Sequence, residues 1–258
     1  MATQAKSKSE QIVQELNRAS ASGSLDQLTR ARFRRDAEAL MVADPITAHM
    51  ILGLIASDAC DESEVRRCFS VALKLAPVEP IVHHNYATAL ADIGFFSAAR
   101  TESERAHALA PGVLEFADAL INYATLSGRF RRGAEVLAER EKLEPKEAHP
   151  DQVVLPDLIA LADQHGVRDE EIEKLQLAAS SVLHNAGLYS PYIAYGISED
   201  EESRFVGAEW QVDASVSQVV DLNIALARQL SISETPLPAE AFLTFVFVPR
   251  ESHDNTSV

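Results

Sequence analysis

Ala72-Leu73-Lys74-Leu75-Ala76-Pro77, Ala106-His107-Ala108-Leu109-Ala110-Pro111 and Arg140-Glu141-Lys142-Leu143-Glu144-Pro145 are three versions of one phrase, each closed by a proline. The prolines stand 34 residues apart. A fixed period of this length marks an array of helix hairpins, in which each unit buries its apolar face on its neighbours. Proline at the end of each phrase stops the second helix of a hairpin and can open the next. Gly94 and Gly128, also 34 apart, are expected in the turns within hairpins, where a positive φ is required.

Small residues at Gly53, Ala87, Ala99 and Gly133 allow close approach of the two helices of a hairpin, and Phe69, Leu90 and Leu137 fill the wedge between hairpins. On these residues the segment 44–145 resembles the tetratricopeptide repeat family. Leu52-Gly53 with Phe69, Ala72 and Pro77 carry the first repeat. Tyr86-Ala87, Leu90, Gly94, Ala99, Ala106 and Pro111 carry the second, and Leu120, Tyr123, Ala124, Gly128, Gly133, Leu137 and Pro145 the third. The sequence departs from the family where an early aromatic is usual, with His49, His83 and Ala117, and at Val65, where a small residue is expected.

Outward from this segment the pattern weakens. Ile12, Val13 and Leu16 fall at helical spacing, Ser20–Ser24 reads as a turn, and Ser24 with Gln27 three residues on reads as a helix cap. A helix from about Leu25 to Val42 completes a degenerate first repeat. Its cluster Arg30, Arg32, Arg34, Arg35 reads as a solvated helix face. Beyond Pro145, Lys146–Pro150 is an exit loop. Helices over about 151–164 and 169–185 form a degenerate last repeat, which would cap the array. The texture then changes. Residues 189–197 and 204–212 read as strands joined by an acidic turn, a helix follows with Asp213 as its cap, and Ala241–Val248, rich in β-branched and aromatic residues, reads as a central or buried strand.

The expected fold is therefore mainly α: a tetratricopeptide-like right-handed α-solenoid of helix hairpins followed by a small ββαβ α/β module. The expected organisation is a disordered N-terminus over 1–8, repeats over 9–186, the module over 187–250, packed on the last repeat, and a disordered tail over 251–258. A chain of 258 residues has the length for this.

The net charge of −16 is uneven. Residues 1–140 hold 18 acids and 16 bases, residues 141–258 hold 21 acids and 7 bases. A surface this acidic repels phosphate backbones, so no nucleic acid is expected. No apolar run approaches the roughly 18 residues that span a bilayer, and no membrane partner is expected. Met1–Glu10 is polar and lacks the form of a secretory signal. Two cysteines, Cys60 and Cys68, suit reduced thiols in a cytoplasmic protein, and both are expected as small apolar residues in repeat helices.

Catalytic constellations are weak. His83 and His84 point about 100° apart on a helix and cannot easily share a metal. Glu104 and His107 have the spacing of a carboxylate-bridged metal site but lack a second matching pair. His149, His165 and His184 read as exposed by coincidence. There is no glycine-rich phosphate loop, nucleophile elbow or kinase motif. No metal, no cofactor and no enzymatic activity are expected.

The family resemblance implies a protein-binding scaffold whose first helices line a concave wall. In this register the wall takes Thr47, Met50, Ile51 and Leu54 from the first full repeat. It takes His84, Asn85, Thr88 and Asp92 from the second, and Glu115, Asp118, Asn122 and Thr125 from the third. Some family members hold a peptide C-terminus with Lys, Arg and Asn; only Asn85 and Asn122 echo that set, so an apolar or basic protein segment is the expected partner. The α/β module would add a second contact, or a homodimer interface through the edge of its sheet. Two other readings are open: a small-ligand or enzymatic site near Tyr189, Tyr192, Tyr195 and Trp210, and an acidic inhibitor of a basic toxin or nuclease.

Overall fold

The computed structural model describes residues 9, 11–13, 15–16, 25–199, 204–231 and 237–250. The expected disordered ends, the Ser20–Ser24 turn with its Ser24 cap, and residues 200–203 of the acidic turn lie outside the described residues. The protein is mainly helical with one three-stranded sheet, and it falls into two compact units, residues 1–123 and 124–258.

The first unit contains α1 (Gln27–Leu40), α2 (Pro45–Asp58), α3 (Glu62–Leu75), α4 (Pro80–Asp92), α5 (Phe96–Leu109) and most of α6 (Leu114–Leu126). Local signals set the boundaries. Asp26 caps α1, its Oδ1 accepting from Leu28 N and Thr29 N at 2.8 Å each. The helix thus begins two residues later than a Ser24 cap would start it. Asp44 and Asp61 cap α2 and α3 through the amides of Thr47 and Glu64, each at 3.1 Å. These side chains satisfy donors that the first helical turn leaves free. Pro45 and Pro80 occupy first turns, where a missing N–H costs nothing. Pro77 and Pro111 lie two residues beyond α3 and α5 and stop those helices without opening the next ones.

The 34-residue rhythm extends to the elements themselves. Helices α3, α5 and α7 (Phe130–Leu143) start and end 34 residues apart, and α4 and α6 keep the same offset. The intra-hairpin turns follow it too. Gly94 and Gly128 have φ of 76° and 79°, and at the equivalent place one period earlier stands Cys60, with φ of 55°. Cys60 is therefore an exposed turn residue, against its expected place in a helix core; Cys68 is buried. Burial pushes the Cys68 thiol up to about 12, with Glu64 adding to the effect, so it stays protonated. A side chain in the left-handed region is strained by roughly 1–2 kcal/mol, part of which glycine returns through its freer unfolded chain. Cys60→Gly is therefore expected to stabilise the protein by about 0.5–1 kcal/mol, read as a higher thermal midpoint. A lowered midpoint would contradict this account of the turn.

The second unit contains α7, α8 (Leu155–Gln164), α9 (Asp169–Asn185), β1 (Ile193–Glu199), β2 (Arg204–Val212), α10 (Val216–Ser231) and β3 (Leu243–Pro249), with short 3-10 turns at Pro150–Gln152 and Pro238–Ala241. Helix α8 starts at Leu155, later than the expected 151, because Pro156 lacks the N–H that a helix from 151 would bond to the Gln152 carbonyl, and residues 150–152 form a 3-10 turn instead. Val153, just before it, is 83% exposed. Helix α10 is capped by Ser215 and not by Asp213: Gln218 N donates to Ser215 Oγ while Ser215 N donates to Gln218 Oε1.

The sheet order is β1-β2-β3, with β1 antiparallel to β2 and β3 parallel to it, so the expected ββαβ module is present. Val206, Ala208, Trp210 and Val212 of β2 and Leu243, Phe245 and Phe247 of β3 form its buried face. The module packs on the helices before it, with α10 and β3 against α9 and β2 against α8. Strand β3 is buried as expected, but it is an edge and not a central strand. Its outer edge is closed by Asn223 of α10, whose amide donates to Phe247 O and accepts from Phe247 N, both at 2.9 Å. Pro249 offers no donor at the end of that edge. Together they blunt a template for pairing with another chain.

Candidate functional site

In the first unit α2, α4 and α6 lie side by side. Three of the contacts that join them recur at one sequence separation, 35 residues. Asn85 Nδ2 lies 3.9 Å from Met50 Sδ, Ser57 Oγ 3.3 Å from Asp92 Oδ2, and Tyr123 donates to Thr88 Oγ1 at 3.4 Å. Each joins a residue of one hairpin to the residue one place beyond its 34-residue equivalent in the next.

The residues expected on this face divide into three groups. Asn85, Thr88, Asp92, Asp118 and Asn122 are exposed or half-buried. Met50, Ile51 and His84 are buried, and Leu54 is partly buried against the N-terminal apolar cluster. The His84 ring lies 4.9 Å from that of Phe116, its Nε2 is 3.4 Å from Glu115 Oε1, and burial holds its pKa below the ordinary value. Thr125 belongs to the second unit and is buried. Its hydroxyl donates to Asp151 Oδ2 at 3.0 Å, and its carbonyl receives the Tyr195 hydroxyl at 3.3 Å.

Charge is sharply sorted between the two kinds of helix. Helices α2, α4 and α6 contain no lysine or arginine, yet carry Asp58, Asp92, Glu115 and Asp118. Apart from Arg129 in the turn before α7, the cations of these hairpins are on the second helices, such as Arg66 and Arg67 on α3 and Arg100 and Arg105 on α5. Asp58 is answered by Arg30 of α1 at 2.7 Å. Asp92 is not so answered: its contact is the Ser57 hydroxyl, which shares its proton with the Leu54 carbonyl at 2.9 Å. The Asp92 side chain is accessible, but it is set among protein atoms whose desolvation pushes the carboxyl up to about 6. The Ser57 contact opposes this shift and the charge of Asp58 adds to it. The sorting was legible in the sequence once the helices were phased; the state of Asp92 was not.

The expected histidine and aromatic features serve packing. His83 is buried, with Nδ1 2.8 Å from Glu102 Oε2 and Nε2 3.1 Å from the Pro77 carbonyl, so it ties α4 to α5 and to the end of its own hairpin's predecessor. His149 is buried and not exposed as expected; its Nδ1 accepts from Asp151 N, which fixes the turn after α7. His165 stacks on Phe242 and His184 on Tyr189. Tyr195 packs edge-on against Phe130, and Trp210 donates to the Ser190 carbonyl at 3.1 Å. Tyr192 is 44% exposed and lies under Arg250, with the guanidinium 4.2 Å from the ring centre. These four aromatics are thus engaged in packing, Tyr195 and Trp210 both against Phe245. A cavity of about 550 Å³ in the second unit is lined by Arg129, Arg131 and Arg132. Each is already paired: Arg129 with Glu170 and Glu173, Arg131 with Asp163 and Asp169, and Arg132 with Glu135. Arg168 also lines it, 76% exposed and 3.9 Å from Glu171.

Among the described residues no group of three or more His, Cys, Asp or Glu is arranged to hold a metal ion. No helix among them is long and apolar enough to cross a membrane. No family model matches the chain, and no curated protein matches it either.

Proposed function

We propose that this protein is an adaptor of the tetratricopeptide type, whose helix hairpins form a solenoid and which holds a basic protein segment against α2, α4 and α6. One observation carries the reading: three neighbouring helices contain no lysine or arginine and carry Asp92, Glu115 and Asp118, beside Asp58, whose carboxylate is already paired with Arg30. Cationic side chains are the natural complement of such a strip, and complementary potential steers a partner and suppresses acidic competitors. Asn122 supplies an exposed amide that can bond a partner's backbone or side chains, while the half-buried Asn85 and Thr88 donate to the Ile81 and His84 carbonyls. The absence of lysine and arginine argues against capture of a carboxylate terminus.

The test uses purified full-length protein and two labelled helical peptides of equal length, one rich in Lys and Leu, the other with each Lys replaced by Glu. Fluorescence anisotropy should show binding of the cationic peptide only. Asp92→Lys combined with Asp118→Lys should weaken it about tenfold or more. A bound cation favours ionised Asp92, so affinity should be full above about pH 6 and fall as the pH drops through that value. Equal binding of both peptides, or undiminished binding by the double variant, would sink the proposal. Protein captured from native lysate by the wild type and lost with the double variant would then identify the partner.

A further inference from the structure

Helix α10 has more apolar surface than the second unit covers. Val219, Leu222 and Leu226 are buried, and Asn223 is taken by the edge of β3. On the adjoining side Val216, Val220 and Ile224 are 69%, 51% and 43% exposed, and Ala227 is exposed with them. At 100° per residue these four positions lie within about 80° of arc, one stripe along more than three turns. Scattered exposed aliphatics are ordinary, but an aligned row on one helix face is the pattern of an interface.

The only charged residues on α10 are Asp221 and Arg228. They are seven residues apart, two turns of helix, and both lie along the same rim of the stripe, next to Ile224. Neither forms an ion pair with a described residue of this chain.

We propose that the exposed stripe of α10 pairs with the same stripe of a second copy of this chain, antiparallel, about a two-fold axis passing near Ile224. A two-fold axis perpendicular to a helix turns each rim onto itself. Asp221 of one copy then meets Arg228 of the other, and the reverse pair forms on the opposite side of the axis. Val220 packs near Ala227 of the other copy, and Val216 near the far end of its helix. The contact is isologous, so the same few residues are used twice. The charge balance favours a second copy as the occupant. Residues 141–258 carry 21 acids and 7 bases, so two copies repel over most of this surface. Helix α10 is locally neutral, and its one acid and one base stand where a two-fold pair would match them. The blocked outer edge of β3 leaves this helix, and not that edge, as the self-association surface beside it. The inference is independent of the peptide-binding reading.

The test is sedimentation equilibrium of the full chain from about 1 to 200 µM. The wild type should pass from 28.1 kDa to twice that mass. Val220→Asp should remain monomeric at every concentration, with an unchanged far-ultraviolet circular dichroism spectrum. Asp221→Arg alone should raise the dimer dissociation constant about tenfold. Asp221→Arg combined with Arg228→Asp, which restores complementarity with the signs exchanged, should return it to near the wild-type value. A wild type that stays monomeric to the highest concentration overturns the proposal. So does a dimer that survives Val220→Asp, which would place the contact elsewhere, such as the free edge of β1. Should Val220→Asp misfold, the charge exchange decides alone: a double variant no tighter than the single one refutes the two-fold pairing.

Discussion

Phe69→Ala is expected to cost about 3–5 kcal/mol of unfolding free energy, read from urea denaturation of the full chain. Phe69 is fully buried on α3, and its ring stacks on Tyr86 of α4 at 4.8 Å between centroids, 15° from parallel. It also fills the space left by Gly53 on α2: a Cβ at Gly53 would lie 2.5 Å from Phe69 Cε2 and 2.7 Å from Cδ2. One ring thus wedges three helices, and its loss leaves a void that none of them can close alone. Gly53→Ala in the wild type should also be destabilising. It gains up to about 1 kcal/mol of helix propensity but drives the ring off its seat, at about 1–3 kcal/mol. With Phe69→Ala already present, Gly53→Ala should turn neutral or stabilising, because the clash has gone and the propensity gain remains. Such a reversal of sign is what a double-mutant cycle detects for residues in contact. Additive effects of the two substitutions would show that Gly53 is not kept small by Phe69.

Gly128→Ala should be more damaging than Gly166→Ala or Gly187→Ala, at about 2–5 kcal/mol. Two penalties coincide there. Its φ of 79° is in the left-handed region, and a Cβ would meet Ile172 Cγ2 at 2.6 Å and the backbone of Ile172 and Glu173 at 3.0 Å. Backbone atoms of α9 cannot swing aside as the end of a side chain can. Gly166 and Gly187 have φ of 65° and 70° but nothing within 4 Å of a Cβ, so alanine there should cost only the conformational part, about 1–2 kcal/mol. Thermal unfolding of the three variants should rank Gly128→Ala well below the other two. Equal midpoints would mean that the α9 contact carries no weight. Gly128 and Cys60 hold equivalent places two periods apart, and their substitutions are expected to act in opposite directions, because only one of them already has the residue the turn requires.

Much of the helical scaffold was legible in local signals. Proline after each second helix, glycine in the turns, and helices phased at 34 residues are short-range effects that each segment carries with it. The strand Arg204–Val212 and the helix Asp169–Asn185 were likewise readable, the first from β-branched and aromatic residues and the second from its apolar spacing. The misreadings fall where two local signals compete. Ser24 and Asp26 both suit a helix cap, as do Asp213 and Ser215, and which side chain reaches the free amides depends on the path of the chain before it. Of the candidate site, the acid-only composition of α2, α4 and α6 was written in the sequence, while the inward turn of His84 and the use of Thr125 within the second unit were not.

The sequence by itself determined the period, the helix ends and the sorting of charge between first and second helices, because these depend on residues within a turn or two of one another. Only the tertiary structure decided that Phe69 stands against Gly53, that Asp92 lies crowded beside Ser57 and Asp58, that Asn223 closes the edge of β3, and that one stripe of α10 is left bare. Each of these is a matter of which distant segments come into contact, and burial, desolvation and exposed apolar area do not exist until they do.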